Sequence, residues 1–299
     1  MSAHPIAIGD RGLRYLRMKP DGTMYPSDRE LYDFVSTTLH GLSLDAAVDW
    51  YTATHPRLTD DQRAYLGCND RFYLATVILH RHDMLDPWLY ARCREVEASP
   101  DGHIDLWARY HFKSSIITQT GCLQEILINP DIRIAIFSNT QPSARKFLKQ
   151  IRDVMETNGL LKRIYADVLW ANPRVGHHTW SLSEGLTVKR TTTAKEPTIS
   201  AYSVLRAMPT GSHFDLLVYD DLITKANVTN EDMVRETTEG FELSTNLGIG
   251  EATRYWIIGT RYSFADTYGI ILERGLFEPR VYPATHNGKM TGKPVLMSE

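Results

Sequence analysis

Short apolar runs that end in charged or small residues, separated by helical patterns, dictate the layout of this chain. Phe214 to Tyr219 (FDLLVY) is apolar at consecutive positions and ends in Asp220-Asp221. Ile132 to Ser138 (IRIAIFS), Arg254 to Thr260 (RYWIIGT) and the shorter His103 to Ala108 read the same way. Strands apolar on both faces are covered on both faces, which is the condition of a parallel sheet flanked by helices. The intervening segments supply those helices. Ser143 opens an amphipathic pattern in which Phe147, Leu148, Ile151, Val154 and Met155 share one face, and Asn158-Gly159 ends it. A second helical pattern covers about 229–246. The alternation predicts an α/β domain with a mostly parallel sheet over 86–275.

Residues 1–85 read as a helical N-terminal region. Ser27-Asp28-Arg29-Glu30 has capping-box spacing for a helix through about His40. Ser43 caps a second helix, Thr59-Asp60-Asp61-Gln62 is another capping box, and Asp70 precedes an apolar helix. Pro87 suits the first turn of a helix to about Ala98, and Ser99-Pro100-Asp101-Gly102 is turn chemistry. Residues 171–200 read as a polar loop or short hairpin. Residues 276–299, with Pro279, Pro283, Gly288, Gly292 and Pro294, read as a linker stub.

Composition narrows the class. The 299 residues are 42% hydrophobic and 23% charged, with a formal charge of −3, ordinary for a globular protein and too acidic for one that only coats nucleic acid. Cys68, Cys93 and Cys122 are scattered and form no CxxC pair, which argues against a disulfide scaffold or zinc ribbon. The N-terminus (MSAHPIAIGDRG) has no apolar signal-peptide stretch, and no apolar run approaches the ~20 residues of a membrane span.

Three strand ends carry the chemistry. After His103–Ala108, a turn leads to Lys113-Ser114 at a helix start. Amides at a helix N-terminus face an anion, an ammonium reaches β- and γ-phosphates, and a hydroxyl ligates Mg²⁺. The match to GxxxxGK[ST] is incomplete, because Ala108 and Phe112 stand where glycines belong. After the second strand, Asp220 is placed to hold Mg²⁺, directly or through water, and Asp221 to orient or deprotonate the attacking water. At the third, Gly259-Thr260-Arg261 ends a strand expected between the other two, where Thr260 can donate to a γ-phosphate or position the water. Taken singly, each has a plainer account: a surface lysine, a helix-capping acidic pair, a strand exit.

Together and in this order, the three resemble the ATPase domain of the large terminase subunit, the DNA-packaging motor of tailed bacteriophages. Several of those proteins carry a Walker A of the form R-G-H-F-K-S. Here it is Arg109-Tyr110-His111-Phe112-Lys113-Ser114, with tyrosine at 110 where that family usually has glycine. Ser138-Asn139-Thr140 and the helix after Ala144, Trp180, the segment ending Lys195-Glu196-Pro197-Thr198, the Asp-Asp Walker B and Gly259-Thr260-Arg261 are also similar. The resemblance implies a P-loop NTPase of the additional-strand, RecA-like type that uses ATP and Mg²⁺. It implies nucleotide contacts at Tyr110, His111, Phe112, Lys113, Ser114, Ser115 and Arg261, with metal ligation by Ser114 and Asp220. It gives catalytic roles to Asp221 (usually Glu in the family), Arg109 and Thr260. It further implies double-stranded DNA, a portal protein and a small terminase subunit as partners, a homo-oligomeric ring and a host-cytoplasmic location. A nuclease domain normally follows; only 38 residues follow Arg261, so nuclease activity is not expected of this chain. A shift between the helical N-terminal part and the sheet is the expected motion. The rivals are a helicase-like translocase and a non-catalytic nucleotide-binding or docking module.

Other features have plainer readings. His80/His82 and His177/His178 read as solvated histidines. Trp88 and Tyr90 read as core rather than adenine contacts. Arg145, Lys146, Lys149 and Arg152 read as a solvated helix face, with DNA phosphates as the alternative, and Lys189, Arg190 and Lys195 are a comparable set.

Overall fold

A computed structural model describes residues 7–296 except 177, 207, 225–227, 229 and 264. Its centre is an eight-stranded sheet: β1 (His103–Trp107), β2 (Ile134–Ser138), β3 (Trp180–Ser181), β4 (Gly185–Leu186), β5 (Ile199–Ser203), β6 (Leu216–Asp220), β7 (Arg254–Gly259) and β8 (Glu278–Tyr282). The spatial order is β3-β4-β5-β2-β6-β7-β1-β8. The six strands from β5 to β8 pair in parallel, and the β3–β4 hairpin adds two short antiparallel strands at one edge. The α/β expectation holds, and β7 does separate β1 from β6.

Alternation along the strands sends side chains into two cores. Ile134, Ile136, Leu216, Val218, Trp256 and Ile258 belong to one. Ala135, Phe137, Leu217, Tyr219 and Ile257 belong to the other. The first is covered by α7 (Gln141–Thr157) and by the helix that follows the Lys113-Ser114 turn, built from a π-helical stretch Ser115–Gly121 and α6 (Cys122–Ile128). α9 (Glu231–Thr245) and α10 (Thr267–Glu273) cover the second.

The N-terminal helices are α1 (Pro26–Thr37), α2 (Leu44–Thr54), α3 (Asp60–Asn69) and the short α4 (Arg71–Tyr73), which continues as a π-helical turn Leu74–Ile78; α5 is Pro87–Ala98 and α8 is Gly159–Ile164. Ser43, Thr59 and Asp70 act as the expected caps, and Thr59 and Gln62 complete a capping box. Ser27 does not. Pro26, whose fixed φ suits the first helical position, starts α1 after Tyr25, and Asp28 is buried under Arg17 and Gln62. That helix ends at Thr37 rather than His40. Likewise Thr140, not Ser143, caps α7. Trp88 packs edge-on against Trp107, His111 and Tyr282, as core.

The elements of the 1–85 region are helical, and they pack on the sheet: Tyr15, Leu31, Val35 and Leu39 lie in the same buried cluster as the sheet's Ile134 and Trp256. Buried polar pairs cross residue 85 as well, with Arg94 to Asp70 at 2.8 Å and Glu97 accepting from the Arg71 amide at 3.0 Å. Helices and sheet share one core, which leaves no thin hinge between them. The linker reading of 276–299 fails at Glu278–Tyr282, which is β8, paired with β1 along five residues. Its missed signal is Arg280, which is buried and donates to Asp105 at 2.7 Å and to the Ser99 carbonyl at 3.0 Å. Pro279 is tolerated because β8 is an edge strand.

Burial pushes the Asp105 carboxyl up, while Arg280 and the Trp107 indole N–H pull the other way. Removing the guanidinium leaves that carboxylate without its counter-charge, so Arg280→Ala should cost about 3–5 kcal/mol in urea unfolding. A loss below about 1 kcal/mol would show that β8 is not anchored by this pair.

Candidate functional site

The site lies at the carboxyl ends of β1, β6 and β7, where open α/β sheets hold ligands. β1 delivers the chain into a tight turn. Tyr110 (φ 65) and Phe112 (φ 58) are both left-handed, although neither is glycine. Each such residue costs about 1–2 kcal/mol, because Cβ crowds the next carbonyl. A glycine at 110 would take this conformation without that crowding. Left-handed residues spaced along a turn curl the amides into a concave nest. Among the described residues the backbone N–H groups of 109–115 have no protein acceptor; the first to find one is Ile116, which donates to Phe112. The nest opens directly into the helix 113–128.

Opposite the nest stands the acidic pair. The Ser114 hydroxyl donates to Asp220 Oδ1 at 3.0 Å. Thr118, one turn further along, donates to Asp220 Oδ2. Lys113 Nζ lies 3.5 Å from Asp221 Oδ1. The structure thus brings together Lys113, Ser114, Asp220 and Asp221. Lys113 and Asp220 are buried, whereas the Asp221 side chain is 46% exposed. Burial, then the neighbouring Asp221 charge, pushes the Asp220 carboxyl up to about 7; Lys113 and the two hydroxyls pull the other way.

The other expected residues sit nearby in different roles. The Thr260 hydroxyl donates to the Trp107 carbonyl at 3.2 Å, tying the tip of β7 to β1. The Arg109 guanidinium contacts the Tyr262 hydroxyl and lies over that ring. Arg261 Nε donates to the Ser263 carbonyl at 3.3 Å, within its own loop. His111 is buried against Trp88, and Phe112 packs on the core beneath Arg81, so both offer backbone rather than side chain. The Tyr110 side chain is 77% exposed. Ser115 opens the π-helical stretch.

Three contributors have no place in the sequence reading. Thr118 is one; its spacing of four from Ser114 was its signal. Tyr268 is another. Its hydroxyl accepts from the Leu222 amide at 3.0 Å and donates to the Ile258 carbonyl at 3.2 Å, bracing Asp221 from below. A Cβ at Gly259 would meet that hydroxyl at 2.2 Å, so glycine is required there. Asp266 is the third, capping α10 and accepting from the Tyr262 and Ser263 amides. Of the histidines, His178 stacks on Trp170, and His177 lies outside the described residues. No helix among the described residues is long and apolar enough to cross a membrane.

A metal here would have one hydroxyl and one carboxylate from the protein. The described residues form no cluster of three or more His, Cys, Asp or Glu. That donor set fits Mg²⁺, which takes one or two carboxylates together with substrate phosphates and water. It does not fit zinc.

Asp220 makes a pH prediction. Its folded-state value lies above its ordinary 3.8, so the fold favours the neutral carboxyl. That stabilisation is fully present below about pH 4 and is lost as pH rises through about 7. Asp220→Asn should therefore be more stable than wild type at pH 8 by on the order of 1–3 kcal/mol, and the gap should close at pH 4. Urea unfolding at pH 4, 6 and 8 measures it; a gap independent of pH would contradict the assignment. Tyr110→Gly tests the turn: relief of left-handed strain, less the entropy of glycine, predicts no loss of stability and a gain of up to about 1 kcal/mol.

No family model and no curated protein sequence matches the chain, and the site rests on its own geometry.

Proposed function

We propose that this chain is a Mg²⁺-dependent ATPase of the P-loop type, with the additional strand β7 between the phosphate-loop strand and the acidic strand. The observation that carries the proposal is the meeting of Lys113 and Ser114 with Asp221 and Asp220 beneath a nest of unpaired amides. Two anion-seeking groups, a hydroxyl and two carboxylates at one sheet edge suit a triphosphate better than any neutral ligand.

Each residue then has a task. The amides of 109–115 and the Lys113 ammonium bind the β- and γ-phosphates. Ser114 and Asp220 hold Mg²⁺, which when bound neutralises phosphate charge. Asp221, the more exposed carboxylate, accepts a proton from water as its oxygen attacks the γ-phosphorus and ADP leaves. Asp221 is reached by Lys113 in the free protein, and a bound phosphate competes for that lysine, freeing the carboxylate to act as base. Arg109, released from Tyr262, or an arginine of a neighbouring copy neutralises charge on the transferred group. Thr260 ties the tip of β7 to the strand that feeds the nest, so it reports on movement there.

The resemblance to large terminase subunits makes the purpose of this hydrolysis the translocation of double-stranded DNA into a procapsid. The chain would work in a ring with portal and small-subunit partners, in the host cytoplasm. The shared core of N-terminal helices and sheet favours movement of whole subunits against one another over a hinge inside this chain.

Phosphate release with Mg²⁺ and ATP tests the proposal. Lys113→Ala should lose about 100-fold or more in turnover. Asp221→Asn should lose a similar factor, while Asp221→Glu, the family's usual residue, should stay within about tenfold of wild type. Equal release from wild type and Lys113→Ala, or none from wild type, would overturn hydrolysis. Retained binding of a fluorescent ATP analogue without release would instead support a nucleotide-binding docking module.

A further inference from the structure

We propose that the face formed by α7 and the β3–β4 hairpin docks the phosphate backbone of duplex DNA. The inference deepens the proposed function by naming the surface that meets the duplex. It rests on that reading only for the choice of DNA among polyanions.

Charge is distributed unevenly along the chain. Residues 141–190 hold nine lysines and arginines against four aspartates and glutamates, within a protein whose overall charge is −3. The remaining sequence holds 24 basic residues against 32 acidic ones, and this block is the exception. Such asymmetry is the electrostatic footprint of a polyanion partner.

The fold gathers part of that charge on one surface. α7 buries Ala144, Leu148, Ile151 and Met155, which leaves Arg145, Lys146, Lys149 and Arg152 on its outer side. Arg145 to Arg152 spans about 10 Å of helix axis. Arg145 and Lys146 are exposed and have no ion pair or hydrogen bond among the described residues, whereas Lys149 and Arg152 are both paired to Asp153 on the same helix. An open groove of about 640 Å³ lies between α7 and the hairpin, lined by Arg145, Arg152, Arg174, Trp180, Ser181 and Ser183, together with Glu156.

Glu156 is the one acid lining this groove, and it is already engaged. It accepts from the Trp180 indole N–H at 2.9 Å and from Arg174 at 2.7 Å, and Arg152 approaches to 3.8 Å. It therefore fixes two guanidinium groups beside the groove. Arg145 and Lys146 extend the cationic rim without any such tether.

The geometry selects among anions. A single phosphate would need donors converging on a buried point. Here the cations are spread along an open face, which suits phosphates repeating along a strand. Base stacking is disfavoured, because the groove's tryptophan, Trp180, packs against the core and its indole N–H is held by Glu156. Contacts of this kind position a duplex without reading its sequence.

Fluorescence anisotropy with a labelled 30-base-pair duplex, from about 50 to 200 mM salt, tests the surface. Wild type should bind at low salt with an affinity that falls steeply as salt rises. Arg145→Glu/Lys146→Glu, at two exposed positions outside the ATP site, should lose at least about tenfold in affinity and about two in salt slope. Arg235→Glu on α9, a charge reversal on the opposite side of the sheet, should bind as wild type. Failure of wild type to bind, unchanged binding by the double variant, or equal loss in Arg235→Glu overturns the proposal. So does polyglutamate competing as well as unlabelled duplex at equal charge. ATP hydrolysis without DNA is measured on the same proteins. The double variant should hydrolyse as wild type does, and Lys113→Ala should bind DNA normally. Binding that responds to the double variant while no protein hydrolyses ATP would sink the hydrolysis reading and leave the surface standing. Normal hydrolysis with no duplex binding would do the reverse.

Discussion

One carboxylate organises this molecule. Asp220 ends the buried strand β6 and has no exposed surface, and the two hydroxyls that meet it come from successive turns of one helix. An isolated buried carboxylate is too costly to keep. Ser114 and Thr118 offset that cost, and so fix where helix 113–128 sits on the sheet. Once the helix is fixed, its N-terminal amides, the nest ahead of it and the Lys113 ammonium all face the acidic pair. The π-helical stretch Ser115–Gly121 lies in the segment that carries Thr118. π-Turns gather at functional sites because they reset the register of side chains on a helix. Burial and the Asp221 charge still outweigh the two hydroxyls and Lys113, so the ionised form of Asp220 gains from any cation held beside it, the task proposed for it.

The strand order gives this clasp its context. β7 lies between β1 and β6, so the nest and the acidic pair face each other across the tip of a third strand. That tip is held from two sides: Thr260 bonds the end of β1, and Tyr268 bonds both Ile258 and the amide after Asp221. Glycine at 259 makes room for the tyrosine ring. Three separated stretches of sequence thus meet at one sheet edge with little freedom.

How far this was legible depends on how local each cause is. Strands that are apolar on both faces announce themselves, so β2, β6 and β7 were readable, as were the caps at Ser43, Thr59 and Asp70. That Lys113, Ser114, Asp220 and Asp221 meet was readable because each pair follows a strand. β5 was hidden, since Ile199–Ser203 (ISAYS) is short, half polar and preceded by a threonine-rich stretch; its burial comes from lying between β2 and β4. β8 was hidden by Pro279 and the glycines that follow, and what makes it a strand is Arg280 reaching Asp105, a contact across 175 residues. Tyr268 had no signal, because its partners are backbone groups brought near only by the fold, whereas Asp266 bonds local amides and its signal was its place as a cap ahead of a helix. The left-handed residues of the nest were invisible for the opposite reason: tyrosine and phenylalanine are residues that normally argue against such a turn.

The candidate ATP site and the basic face are physically contiguous. Asn139 follows β2 and lies against the segment after the acidic strand: its amide donates to the Asp221 carbonyl at 3.4 Å and its side chain to the Leu222 carbonyl at 3.2 Å. The next residue, Thr140, caps α7, and Arg145 projects from the first turns of that helix. Contact alone does not transmit a change; a segment with two arrangements is needed. Asp221 supplies a candidate for that segment. Its φ of 51 is left-handed, a region aspartate tolerates at a cost, and its side chain is held by Lys113. A phosphate that draws Lys113 away removes one restraint on that backbone, and the carbonyl that turns with it is the one Asn139 holds.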